Sequence, residues 1–224
     1  MVDVLYNASK KCGVCEGKVA VTKVRSRLSM LKQDSDFCTY YKEVNPNYYG
    51  IFVCPHCGYA AQDIYFEETP IAVPVIQKFL ESRKVNVDFS GKRTLEQAIA
   101  TYKLAIFFGE MASMLPSRLG GLYLKLAWIY REGERREEEM QALEHALQCY
   151  EQSFLKEKMP IGNMSELTVE YLCGELLRRT GKIDEALTYL GKVVANPNAK
   201  NEKRIYEMAR EAWHSAREEL KEQA

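Results

Sequence analysis

Four cysteines stand in two C-x2-C pairs, Cys12-Gly-Val-Cys15 and Cys54-Pro-His-Cys57, with 38 residues between the pairs. Such a pair bends into a turn whose backbone N–H groups point at the sulfurs, and two turns meeting face to face present four thiolates as a tetrahedron. The donor set suits borderline-soft Zn²⁺, and iron in a rubredoxin-like site fits the Cys-Pro-x-Cys-Gly turn as well. Gly58, directly behind Cys57, suits the left-handed residue that closes such a turn. The first turn departs from this pattern, with Glu16 behind Cys15 and glycine only at Gly17. Four thiolates fill the coordination shell, so the metal is expected to be structural and not to hold a reacting water. A redox C-x2-C of thioredoxin type is the rival reading. It calls for one motif between a strand and a helix, whereas two complementary motifs are present.

The other titratable groups offer little chemistry. Cys38, in DSDFCTYY, is expected to pack as a small apolar residue and not to join the metal as a fifth thiol. His56 lies inside a turn whose ligands are already supplied and is expected to be exposed. Cys149 and Cys173 fall at helix-packing positions, and His145 and His214 sit on amphipathic helices in solvated or capping roles. The sequence contains no Gly-rich phosphate loop, no GxSxG and no HExxH, so an enzyme is not expected.

The elements that must hold the four sulfurs follow from composition and periodicity. The chain has 224 residues, 46% of them hydrophobic, and 31 basic side chains balance 31 acidic ones. It can bury a sizeable core, and no global charge draws it to nucleic acid or an anionic membrane. No apolar run is long enough to span a bilayer and the start lacks the apolar core of a secretion signal, so a cytoplasmic location is expected. Thiols in that compartment stay reduced, which favours metal over disulfides for the paired cysteines.

Before residue 70, five of the seven cysteines lie among Gly, Pro and Asn with short β-leaning runs, Val19 to Val24, Tyr48 to Val53 and Asp63 to Glu67. Thr69-Pro-Ile-Ala-Val-Pro74 then punctuates the chain, and a short helix is expected over Val75 to Lys84. From Thr94 onward apolar residues recur three and four apart, as in Leu95, Ala98, Ile99, Tyr102, Ala105 and Ile106. Thr94 with Gln97 makes a capping-box pattern, and Gly133, Gly181 and Pro197 stand where helices should stop. The helices also repeat: Ala98, Ala142 and Ala186 are spaced evenly by 44. Partner helices, LYLKLAWIYREG and VEYLCGELLRRTG, carry a small residue, Ala127 or Gly174, where helices must approach closely. This is a TPR-like pattern with a period nearer that of HEAT arrays. The fold class expected is α+β: a small β-rich, zinc-ribbon-like domain over 1–69, a linker with a short helix over 70–93, and an all-α TPR-like array over 94–224.

Two surfaces are candidates for binding. With Ala127 and Gly174 as equivalent positions, Leu124, Trp128, Arg131, Tyr171, Glu175, Arg178 and Arg179 would line the concave face of the array and clamp an acidic or C-terminal peptide. Alternatively Trp128 simply packs between helices. Residues 1–33 carry seven basic side chains against two acidic ones, with Tyr40, Tyr41, Tyr48, Tyr49 and Phe52 nearby. That combination could bind single-stranded nucleic acid, but with a net charge of zero a solvated strand face beside a small aromatic core is favoured.

The order FCTYY…NPNYYGIFVCPHCGYA, GKRTLEQAIATYKLA, LAWIYREG and YLCGELLRRTGKIDEAL resembles a bacterial family of uncharacterised proteins, one of the domain-of-unknown-function groups, over nearly the whole chain. The resemblance implies a bacterial, cytoplasmic protein whose paired C-x2-C motifs, here Cys12, Cys15, Cys54 and Cys57, bind metal, and it offers no substrate. The function expected is a non-enzymatic interaction or scaffold protein with a structural four-cysteine zinc site. A zinc-ribbon nucleic-acid-binding protein and a redox or metal-dependent enzyme are the alternatives.

Overall fold

Alternation fixes the first sheet. In Lys18–Val24 (β2), Val19 and Val21 are buried while Lys18 and Ala20 are exposed, as expected of a half-buried strand. Its antiparallel partner is Leu5–Lys11 (β1), paired from Leu5 with Val24 to Lys11 with Lys18. The computed structural model, which describes residues 4–81 and 87–222, adds two more two-stranded sheets. Met30–Gln33 (β3) pairs with Thr39–Tyr41 (β4), and Ile51–Val53 (β5) pairs antiparallel with Ala60–Gln62 (β6). The β-leaning run at Tyr48 to Val53 is split, because Pro46–Tyr49 forms a 3-10 turn capped by the Asn45 side chain. Asp63 to Glu67, expected as a strand, forms turns instead. The Tyr65 and Glu68 N–H groups donate to the Gln62 and Tyr65 carbonyls, and the Phe66 carbonyl accepts from Gly13 N–H, so the segment's backbone is committed away from a ladder.

Among the described residues seven helices follow: Val73–Glu81 (α1), Leu95–Met111 (α2), Pro116–Glu132 (α3), Arg136–Lys156 (α4), Glu166–Arg179 (α5), Ile183–Ala195 (α6) and Lys203–Glu222 (α7). Of the short helix expected to Lys84, residues 82–84 lie outside the described residues. At α2 the Thr94 hydroxyl accepts from Gln97 N–H and the Gln97 side chain accepts from Thr94 N–H, the reciprocal cap its sequence foretells. Gly181, at φ +80°, follows α5 and supplies the left-handed residue on which helices commonly stop. The chain is therefore α+β.

Packing divides the chain into two units. The first comprises Met1–Lys32, Thr39–Met114 and Trp128–Arg135, the second Gln33–Cys38, Leu115–Ala127 and Arg136–Ala224. The borders expected from composition, 1–69, 70–93 and 94–224, cut differently. α2 packs on β5, β6 and the Pro46–Tyr49 turn, and so belongs with the strands, together with the end of α3 from Trp128.

In the first unit, Phe66 packs edge-on against Phe52 and stacks on Tyr59, whose ring meets Phe108 of α2. Arg93 is buried among backbone acceptors, donating from Nε to Phe89 O and from Nη1 to Tyr48 O and Ile51 O. Burial lowers its pKa to about 10, because desolvation disfavours the charged form. Tyr102 is fully buried, and among the described residues its hydroxyl has no hydrogen-bond partner. A buried orphan hydroxyl costs about 1–3 kcal/mol. Tyr102→Phe should therefore leave the thermal midpoint unchanged or raise it; a clear fall would show that the hydroxyl does have a partner, such as a buried water.

In the second unit, α5 packs on α4, α6 and α7, and α6 on α7. Close approach is set by glycine: a Cβ at Gly174 would lie 2.8 Å from Leu190 Cγ, so α5 and α6 could not keep this spacing with a larger residue there. The evenly spaced Ala98, Ala142 and Ala186 are all buried.

Candidate metal centre

Both C-x2-C segments adopt the same turn. In the first, Cys12 N–H donates to Gly17 O (3.0 Å) and Glu16 N–H to Cys12 O (2.9 Å). In the second, Cys54 N–H donates to Tyr59 O (2.8 Å) and Gly58 N–H to Cys54 O (2.8 Å). The closing residue is left-handed in each, Gly58 at φ +83° and Glu16 at φ +60°. The first turn thus keeps the geometry without glycine, at a cost of about 1–2 kcal/mol for a side chain in that region. The turns continue strands: Cys12 follows β1 and Cys54 follows β5, and each sheet's return strand begins just after its turn.

The four sulfurs lie within 4.8 Å of one another, with Cys12 Sγ to Cys57 Sγ at 3.8 Å and Cys15 Sγ to Cys54 Sγ at 3.6 Å. A Zn–S bond of ~2.3 Å in a regular tetrahedron sets S–S edges of about 3.8 Å, so the thiols fit one ion. They also explain one another's protonation. Contact with Cys12 and Cys57 pulls the pKa of Cys54 far down, while contact with Cys54 pushes Cys12 up to about 12 and contact with Cys12 and Cys54 pushes Cys57 well above the usual thiol range. Four packed sulfurs cannot all ionise unless a cation compensates them. At pH 7 the Cys12 and Cys57 thiols therefore keep their protons until metal displaces them, so metal binding should release at least two protons per ion and weaken as pH falls. Metal titration in buffers of different ionisation enthalpy measures this; uptake without proton release would show that the thiols are not the ligands.

Neighbouring contacts hold the turns in place. Gly13 N–H donates to Phe66 O, and a Cβ at Gly13 would lie 2.0 Å from Glu68 O, so only glycine allows this approach of backbone to backbone. Lys10 Nζ pairs with Glu67, whose other oxygen accepts from Lys11 N–H at 3.1 Å. Gln77 Nε2 on α1 donates to Val14 O at 2.9 Å. His56 is exposed and its Nε2 lies 3.0 Å from Lys18 O; since a carbonyl only accepts, Nε2–H is the donor, and His56 ties the second turn to β2 without ligating. Cys38 and Cys173 are buried, Cys149 is half-buried, and none of the three belongs to the sulfur cluster.

The residues expected to line a peptide groove are placed differently. Trp128 and Arg131 lie in the first unit and are half-buried, while Leu124, Tyr171, Glu175, Arg178 and Arg179 lie in the second. Leu124, Tyr171 and Glu175 are buried. In α5 every residue from Tyr171 to Leu177 is buried, so over that span the helix shows no open face, while Arg178 and Arg179 beyond it are half-buried. What covers part of it is Gln33–Cys38, in which the sequence singled out Cys38 alone. Acidic and serine residues in a turn carry no periodic signal that would point to α5. The basic N-terminal stretch is also largely engaged: Lys10, Lys11 and Lys23 pair with Glu67, Glu16 and Asp63, and Lys32 lies 4.2 Å over the Tyr40 ring, while Tyr49 and Phe52 are core.

Residues 5–216 match the family described as "Uncharacterized protein conserved in bacteria (DUF2225)". No curated protein and no solved structure matches the chain. Among the described residues, no helix is long and apolar enough to cross a membrane.

Proposed function

We propose, for a chain that belongs to this bacterial DUF2225 family, a role as a non-enzymatic cytoplasmic interaction protein whose first unit is stapled by structural zinc and whose TPR-like helices bind a protein or peptide. The observation that carries the reading is the cluster of four mutually close thiols drawn from two matching turns. Such a set fills a tetrahedral shell and leaves no position for a water or substrate, which favours holding the fold together over catalysis. Zinc is preferred to iron because an ion that only has to hold a fold needs no redox change. Regular spacing of small residues and close approach at Gly174 support an array of packed helices, an architecture suited to presenting a broad binding face. The nucleic-acid reading draws less support, because Lys10, Lys11 and Lys23 are paired with acids and Tyr49 and Phe52 are packed in the core.

Metal analysis of protein purified without added metal should find one zinc per chain; iron in its place, or no metal, would remove the zinc part of the reading. Crosslinking capture from a bacterial lysate should recover partners that are lost with Trp128→Ala. Identical recovery would exclude the Trp128 surface.

A further inference from the structure

The second unit holds a peptide already, and the peptide is its own chain. Gln33–Cys38 is separated by more than seventy residues from anything else in that unit, yet it makes a dense set of contacts to α5. Tyr171 Oη donates to the Ser35 carbonyl at 2.6 Å, and Ser35 Oγ–H donates to Glu175 Oε1 at 2.6 Å. Arg179 Nη2 donates to Ser35 Oγ at 2.9 Å and lies 3.8 Å from Asp36 Oδ1. The Phe37 ring meets Tyr171 at 5.6 Å between centroids and packs against the apolar cluster shared by α5, α6 and α7. Carbonyl, hydroxyl, carboxylate and ring are all read by three side chains of α5, Tyr171, Glu175 and Arg179, the arrangement of a recognition groove with its ligand in place.

Two features mark this ligand as removable. Phe37 adopts φ +68°, a conformation that is an outlier for a bulky side chain and that costs about 1–3 kcal/mol, offset by the turn's own hydrogen bonds and by the docked ring. The strand leading into the segment, β3, is exposed at all four residues, so from that side the segment is held by the pairing with β4 and by Gln33, which accepts from Arg204, and not by buried apolar packing.

We infer that the Tyr171, Glu175 and Arg179 face of α5 is a recognition groove for an acidic turn of Asp-Ser-Asp-Phe type, and that Gln33–Cys38 is a latch occupying it until a partner peptide of the same chemistry takes its place. The inference rests on the interaction reading above and names the groove and ligand class. The tethered segment competes at an effective concentration on the order of millimolar, so an untethered peptide reaches the groove only when the latch is weakened.

The probe is a fluorescein-labelled peptide of residues 31–40 with serine in place of the cysteine, added to full-length protein. Phe37→Gly removes the anchoring ring while suiting the left-handed backbone, so this variant should bind the peptide at least tenfold more tightly than the wild type. Adding Arg179→Ala should abolish that gain. A folded Phe37→Gly protein that binds no better than wild type, or binding indifferent to Arg179→Ala, overturns the latch. Should Phe37→Gly fail to fold, hydrogen exchange on the wild type decides. The amides of Asp34, bonded to Cys38 O, and Phe37, bonded to Asp34 O, should exchange at least tenfold faster than those of Tyr171 to Leu177. Exchange only in step with α5 shows a segment released by global unfolding alone and overturns the proposal. Partner capture that succeeds while both tests fail removes the latch and leaves interaction through another surface. Peptide binding without any captured partner does the reverse.

Discussion

Cys54→Ser, or removal of metal by a strong chelator, should unfold the first unit outright. The three sheets among the described residues have two strands each, a size that is marginal in isolation. The ion would join the turn after β1 to the turn after β5, two segments about forty residues apart that otherwise meet through a few hydrogen bonds and the Phe66 cluster. Structural zinc in comparable Cys-ligated sites contributes roughly 10–16 kcal/mol, as much as a whole domain's net stability of about 5–15 kcal/mol. Without it, four thiols within 4.8 Å of one another would crowd a site in which they cannot all ionise. Peptide-resolved hydrogen exchange should show protection lost throughout β1, β2, β5 and β6. Cys38→Ser and Cys173→Ser, which alter buried thiols outside the cluster, should leave the metal content unchanged. A Cys54→Ser protein with wild-type protection in these strands would show that the ion is dispensable to the fold.

Glu175→Ala should destabilise the second unit by about 3–5 kcal/mol, the cost of breaking a buried ion pair from one side. Glu175 is fully buried and accepts from Arg178 Nε and Nη2 (both 2.9 Å), Arg179 Nε (2.8 Å) and Ser35 Oγ. Its removal leaves two half-buried guanidinium groups, of which Arg178 retains Glu219, and Arg179 retains the neutral Ser35 hydroxyl and the longer approach to Asp36. Glu175→Gln, which keeps one acceptor oxygen, should cost less than half as much. Exchange rates in α5, read at increasing urea, measure both variants; equal stability of Glu175→Ala and wild type would mean that solvent replaces the network. The same contacts predict that a fragment spanning 94–224 is less stable than the second unit in the full chain, since it lacks Ser35, Asp36 and Phe37.

Local rules predicted what local chemistry controls. The turn closed by Gly58, the capping box at Thr94, the helix stop at Gly181 and the buried alanines at 98, 142 and 186 each follow from the conformational preference of one residue or the period of one helix. Asp63 to Glu67 reads as a strand because its composition is β-leaning, yet its Phe66 carbonyl is taken by Gly13 from more than fifty residues away. Glu16 reads as a departure from the turn pattern, yet the turn forms, because a penalty of about 1–2 kcal/mol is small beside the free energy of a filled metal site.

The sequence by itself pointed to the four cysteines that cluster, the α+β class and the ends of several helices, because each depends on residue type and short-range spacing. Only the tertiary structure decided that α2 belongs with the strands, that Tyr171 and Glu175 face inward, and that residues 33–38 complete a helical unit far along the chain. Those outcomes are set by which surfaces exclude water together. A buried carboxylate such as Glu175 is tolerable only once Ser35 and two arginines reach it, and no spacing along one stretch of chain encodes a meeting across 140 residues.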